Sequence, residues 1–196
     1  MSICTNIYPI ININDTTVCT TALNDSDLDF YLNFKPDFLQ IRMNLATCNE
    51  VVNLTKRVIR RRNQLGLLTK IIVNNHLEAA LEAGADGLHL GQDDTWAGTV
   101  ISEHPNLIVG LSTHSLRQIE IANTMNLSYI GFGPVFSTIT KVTDCEPVLS
   151  YAADAVKLSK HPVVFIGGIN IKNVDLLPKG EKVYLASIAG LADFAD

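Results

Sequence analysis

Eight short apolar runs recur along this chain, and their number limits the fold more than any other feature. They occupy residues 7–13, 37–42, 70–74, 87–90, 107–111, 129–135, 162–166 and 182–186. Several lack the polar alternation of a half-exposed strand, as expected where both faces of a parallel sheet are covered. Helical patterns separate them, for example at 48–65, 77–83 and 116–125. Thr47 and Glu50 have capping-box spacing ahead of the longest of these, and Gly66 follows its end. Strands alternating with helices imply an α/β chain. Eight such units favour a closed (β/α)8 TIM barrel over an open sheet. No linker or low-complexity stretch divides residues 1–196, so one domain is expected.

The chain's 196 residues are few for this barrel, which typically has about 250. Only residues 188–196 follow the last apolar run, so a stunted or missing C-terminal helix is expected. An apolar strip between the first and seventh helices would then be open to a second copy, giving a homodimer.

Composition removes several function classes. Net charge is −5, and the only basic cluster, Arg57 to Arg62, lies in a helical pattern and reads as a solvated helix face. Nucleic-acid binding would need a broader basic surface. Cys4, Cys19, Cys48 and Cys145 form no CxxC pair and read as reduced thiols rather than zinc ligands. No signal-peptide pattern opens the chain, and no apolar run approaches the roughly 20 residues of a membrane span. A cytoplasmic location without membrane partners is expected.

In a barrel of this kind chemistry sits where strands give way to loops. Residues 131–141 form an apolar strand that breaks at Gly133-Pro134 and then presents Thr138, Thr140 and Lys141. Two hydroxyls beside an ammonium suit a phosphate. Gln40 and Arg42 are two residues apart at the end of the second run and share a face. The guanidinium suits bidentate phosphate binding, with a surface ion pair as the competing reading. Asn74-Asn75 closes the third run, where asparagine also serves turns.

Asp93 and Asp94 follow Gly91-Gln92. They read either as magnesium ligands or as caps of a helix starting near residue 95. His89, within an apolar run, reads as a hydrogen-bonded core histidine. Ser112-Thr113-His114 ends the fifth run, with Ser115 as a candidate helix cap. Gly167-Gly168 ends the seventh and allows close approach to the backbone, and Ala186-Ser187 ends the eighth. Phosphate sites recur after strands seven and eight of such barrels.

Taken in order, these motifs resemble thiamine phosphate synthase and its TenI-type relatives, from about residue 37 to residue 188. The matching pieces are Gln-Ile-Arg at 40–42, Val-Asn at 73–74, Gly-Ala-Asp-Gly-Leu-His-Leu-Gly-Gln-Asp-Asp at 84–94 and Gly-Leu-Ser-Thr-His at 110–114. Gly-Pro-Val-Phe-Ser-Thr-Ile-Thr-Lys at 133–141, Ile-Gly-Gly-Ile at 166–169 and Ala-Ser at 186–187 complete the set. The resemblance implies a transferase joining hydroxymethylpyrimidine diphosphate to thiazole phosphate with release of pyrophosphate, using Mg2+. It assigns Gln40, Arg42, Asn74, Ser112 and Lys141 to the pyrimidine diphosphate, with Arg42 and Lys141 as the catalytic cations. Thr138, Thr140, Gly168, Ala186 and Ser187 fall to the thiazole phosphate, and Asp94 with Asn75 to the metal.

Two motifs depart from the family pattern. Arg42-Met43-Asn44 stands where Arg-Glu-Lys is usual, and Asn74-Asn75 where Asn-Asp is usual. One cation and one carboxylate are thereby lost from the diphosphate–metal centre. The resemblance therefore leaves an active synthase first and a catalytically impaired phosphate binder second. A TenI-type thiazole tautomerase, which carries histidine where this chain has Pro134, ranks lower, and a purely structural barrel last.

Overall fold

A computed structural model describes residues 6–13, 23–94, 96–138, 146–188 and 190–194. Eight parallel strands close into one barrel in sequence order. They are β1 (Ile7–Asn12), β2 (Phe38–Arg42), β3 (Lys70–Asn74), β4 (Gly87–Leu90), β5 (Ile108–Thr113), β6 (Tyr129–Phe132), β7 (Val163–Phe165) and β8 (Val183–Ser187). The barrel closes where Tyr8 of β1 lies beside Ala186 of β8. Among the described residues six α-helices run between strands: α1 (Asp25–Leu32), α2 (Cys48–Gln64), α3 (Leu77–Ala83), α4 (Ala97–Glu103), α5 (Leu116–Ala122) and α6 (Ala152–Leu158). The (β/α)8 fold expected from the alternation is present.

Strand parity divides the core into two layers. Leu39, Ile41, Leu88, Leu90, Ile130 and Phe132 face outward into the shell of helices. Tyr8, Ile10, Tyr129, Val164 and Ala186 fill the barrel interior, with Phe38, Ile108 and Tyr184 packed beside them. Interior volume is balanced by glycine. A Cβ on Gly110 would fall 2.1 Å from the Tyr129 ring, so the bare backbone of β5 is what admits that ring.

Helix α2 starts as its sequence requires. The Thr47 side chain accepts from Glu50 N–H, and the Glu50 carboxylate accepts from Thr47 N–H at 2.7 Å. Such a cap stabilises a helix by about 1 kcal/mol. The basic run of α2 is not the solvated face that its composition suggests. Arg61 pairs with both Asp29 oxygens of α1 at 2.7 Å. Arg62 reaches Asp86 at 2.7 Å and the Thr69 carbonyl at 3.0 Å, and Arg57 donates to the Leu23 carbonyl. Thr69 apart, these partners lie 24 to 34 residues away in sequence, so the local pattern could not reveal them.

The back of the barrel departs from the regular alternation. Between β7 and β8 the described residues contain no α-helix, only a 3-10 turn at Val174–Leu176. Asn173 accepts from the N–H of Asn170, Asn170 accepts from the N–H of Lys172, and Pro178 follows. Side chains that bond the local backbone compete with helix formation, and proline stops it. The expected strip between the first and seventh helices therefore lacks its seventh helix. Beyond β8 the described residues form one 3-10 turn, Leu191–Phe194, as the short tail predicts.

Candidate active site

The C-terminal ends of the strands surround a cavity into which most of the sequence-predicted residues project. Gln40, Arg42, Asn74, Ser112, Thr138, Gly168, Ala186 and Ser187 all line it. Thr140 and Lys141 lie outside the described residues. Two regions of the rim differ in construction.

Along β7 and β8 the rim is backbone and one hydroxyl. Gly167 and Gly168 take φ of 106° and 64°, which strain any other residue. A Cβ on Gly168 would also lie 2.5 Å from the Ser137 carbonyl oxygen. The Gly168 carbonyl accepts from Asn173 Nδ2 at 2.9 Å and Asn170 Nδ2 at 3.2 Å, so the loop after β7 is pinned by its own asparagines. Ser187 is 3% exposed, and its Oγ has no hydrogen-bond partner among the described residues. A buried hydroxyl left unpaired is costly; Thr55 on α2 has another, but only that of Ser187 belongs to a residue lining the cavity. Gly168, Ile188 and Gly190 line the same cavity.

Along β2 to β4 the rim is made of charged and amide side chains. Arg42 is largely buried, and its Nη1 donates to Asn12 Oδ1 at 2.6 Å. Burial lowers its pKa from the ordinary value, yet an arginine stays charged at neutral pH. Asn12, at the end of β1, was missed by sequence reasoning. Its register opposite Arg42 is the signal that finds it once the strands are paired.

Asn75 is exposed at φ 62°, and its N–H donates to the His89 carbonyl at 2.9 Å. This is the turn role open to asparagine. Asp94 Oδ2 accepts from Gly91 N–H at 2.5 Å. Neither Asp93 nor Asp94 caps α4, contrary to the helix-cap reading. That helix begins at Ala97 after Trp96, with no side-chain cap. The Gly91 bond holds Asp94 within the strand-four loop. Among the described residues no three His, Cys, Asp or Glu side chains gather as a metal cluster. Asp94 and Asn75 each offer hard oxygens of the kind magnesium takes, but neither is among the residues that line the cavity.

The floor of the cavity is a polar network across the barrel. His89 is more than the satisfied core histidine of the sequence reading. Its Nδ1 meets Tyr129 Oη at 3.0 Å and its Nε2 meets Ser112 Oγ at 2.9 Å, while the ring lines the cavity. Tyr129 and Tyr8 share a 2.7 Å hydrogen bond, and Gln40 Nε2 donates to Tyr8 at 3.1 Å. Burial pushes both phenols above their ordinary pKa. His114 also lines the cavity, with Nδ1 against the Gly133 carbonyl at 2.5 Å. Ser115 caps α5 by accepting from Gln118 N–H. Strand parity from Gln40 and Ser112 would have drawn Tyr8, His89 and Tyr129 into the site. Their hydrophobic company in the sequence hid them.

One cavity thus holds a buried guanidinium, an unpaired hydroxyl and glycine backbone at positive φ. Comparison with known proteins agrees with that architecture. The sequence profile described as thiamine monophosphate synthase matches residues 8–190. The chain is 43% identical over 127 residues to the thiamine-phosphate synthase of Pelotomaculum thermopropionicum, covering 62% of this chain and 58% of that protein. It is 36% identical over 128 residues to the thiamine-phosphate synthase of Lysinibacillus sphaericus, covering 64% of this chain and 60% of the relative. Each match thus spans less than two thirds of the relative's length. Among solved structures, thiamine phosphate pyrophosphorylase from Pyrococcus furiosus superposes with a TM-score of 0.78 at 27% identity, over 97% of this chain and 90% of that one.

Proposed function

Because the chain belongs to the thiamine monophosphate synthase family, we propose that its barrel mouth joins hydroxymethylpyrimidine diphosphate to thiazole phosphate, releasing pyrophosphate. The observation that carries this reading is the buried, unpartnered Ser187 hydroxyl in the same cavity as the positive-φ Gly168 backbone and as Arg42, which stands two strands away around the barrel. Ser187, Gly168, Ala186, Thr138 and Thr140 would receive the thiazole phosphate. Gln40, Asn74, Ser112, Arg42 and Lys141 would receive the pyrimidine diphosphate.

The reaction breaks the C–O bond between the pyrimidine methylene and the diphosphate. The electron-rich ring stabilises the resulting cation, and the thiazole nitrogen lone pair closes a C–N bond. No proton needs to be removed for that bond to form. Catalysis then rests on holding two partners in line and on meeting the charge that grows on the leaving pyrophosphate. Arg42, braced by Asn12, meets that charge directly. Ser112 adds a hydroxyl to it, and Lys141 is the second cation of the proposal. Magnesium held by Asp94 and Asn75 would neutralise diphosphate charge. A cytoplasmic homodimer completes the proposal; among the described residues no helix is long and apolar enough to cross a membrane.

Incubation with both substrates and magnesium tests the reading. Thiamine phosphate and pyrophosphate in equal amounts are expected. No product at high protein concentration would refute it. A second reading, a thiazole-phosphate binder without turnover, is favoured by the uncharged Asn44 and Asn75. It would show as thiazole-phosphate binding without product.

A further inference from the structure

Five strands each contribute one side chain to a continuous line of hydrogen bonds beneath the mouth. It runs from Gln40 (β2) through Tyr8 (β1), Tyr129 (β6) and His89 (β4) to Ser112 (β5). The fold makes room for it. A Cβ on Gly110 would lie 2.5 Å from Tyr129 Oη, so the phenol reaches its partners only across a glycine. The His89 and Tyr129 rings stack at 5.5 Å with 18° between planes, so the imidazole lies nearly parallel to the phenol that it bonds.

Donor and acceptor capacity gives the line a direction. The Gln40 amide nitrogen can only donate, so Tyr8 Oη accepts from it. Tyr8 is buried, and its hydroxyl hydrogen has one other partner among the described residues, the Tyr129 oxygen. Turning that hydrogen elsewhere would strand a buried donor. Tyr129, having accepted, passes its own hydrogen to His89 Nδ1. A neutral imidazole that accepts at Nδ1 carries its proton on Nε2. That proton goes to Ser112 Oγ, and the Ser112 hydroxyl hydrogen is left for the cavity.

We propose that Tyr8, Tyr129 and His89 are positioning residues that hold His89 as its Nε2–H tautomer and so make Ser112 a dedicated hydrogen donor to an anionic oxygen in the mouth. Run in reverse, the same line would turn a Ser112 lone pair toward the anion and repel it. The inference deepens the proposed function and rests on it only for the identity of the anion, the pyrophosphate leaving group.

Nitrogen-15 NMR of the full chain labelled at histidine reads the tautomer, with His89 signals assigned by their loss in His89→Gln. A proton on Nε2 and a bare Nδ1 are expected for the unmodified protein. Tyr129→Phe should erase that preference and give mixed tautomers. Inorganic pyrophosphate with magnesium should shift the Nε2–H signal of the unmodified protein. A proton on Nδ1, or a Tyr129→Phe spectrum with the tautomer unchanged, would overturn the inference. If Tyr129→Phe does not fold, the unmodified spectrum still decides. A correct tautomer in a protein that makes no product would sink the proposed function and leave the relay standing. Turnover with the opposite tautomer would sink the relay alone.

Discussion

The β7–β8 rim of the mouth, proposed to take the thiazole phosphate, is backbone: two glycines at positive φ, a carbonyl pinned by Asn170 and Asn173, and the hydroxyl of Ser187. The β2–β4 rim, proposed to take the diphosphate, is side chains: Gln40, Arg42 on Asn12, and Asn74. A backbone site is preorganised by the fold itself and tolerates little change at its glycines. A side-chain site works by charge, and its strength follows which residues occupy a few positions. The same mouth thus has one rim whose function is fixed by geometry and one that substitution can tune. Asn44 and Asn75 lie in the loops that follow β2 and β3, the strands of the tunable rim.

The comparison can be broken first at its strongest points. Arg42→Ala removes the charge from the tunable rim. Pyrophosphate affinity should fall by about 10- to 150-fold, the equivalent of roughly 1.5–3 kcal/mol for a charge-assisted contact, with thiazole-phosphate affinity nearly unchanged. Gly168→Ala tests the other rim. It places a Cβ against the Ser137 carbonyl at a φ of 64°, a conformation that costs a non-glycine residue about 1–2 kcal/mol. Thiazole-phosphate binding should drop at least tenfold while pyrophosphate binding survives. Calorimetric titration of each variant with each ligand checks both, and equal losses for both ligands in either variant would erase the distinction between rims. Restoring charge to the tunable rim with Asn75→Asp and Asn44→Lys should raise turnover several-fold in the product assay. A fall would mean that this rim is built for another ligand.

The eight strands were legible because buried parallel strands leave unbroken apolar runs, and the α2 cap because Thr47 and Glu50 act within one turn. Strand ends were less so. The run at 129–135 yields a strand that stops at Phe132, since Gly133-Pro134 follows and proline cannot donate to a ladder. Strand β5 runs on to Thr113 because Ser112 and Thr113 pair with Gly131 and Phe132. The missing seventh helix depended on where the Asn170 and Asn173 side chains turn. In the site, Gln40, Arg42 and Ser187 were visible because polar residues at strand ends stand out. His89 and Tyr129 were hidden because a polar interior and an apolar shell share the same strands.

The smallest effect concerns stability rather than binding. Burial raises the Tyr8 and Tyr129 phenols, and partial burial with Asp37 raises Tyr184 to about 12. A group whose folded pKa exceeds its unfolded value contributes stability that is complete below the unfolded pKa and lost as pH rises through the folded one. Unfolding free energy should therefore be flat up to about pH 10 and fall above it. Each such phenol contributes a slope of about 1.4 kcal/mol per pH unit until it ionises in the folded protein. Urea titrations across that range should show a shallower fall for Tyr129→Phe, after allowance for its lower starting stability. An equal fall in both proteins would place the phenols in a more open interior than the structure has.

The two-rim mouth is tested most directly by asking whether its rims can be filled together. Thiazole phosphate is titrated calorimetrically into the protein alone, and again into protein saturated with pyrophosphate and magnesium. The account predicts binding in both titrations, with one site each and similar or tighter affinity in the second. Mutual exclusion, with pyrophosphate abolishing the thiazole-phosphate signal, would contradict it.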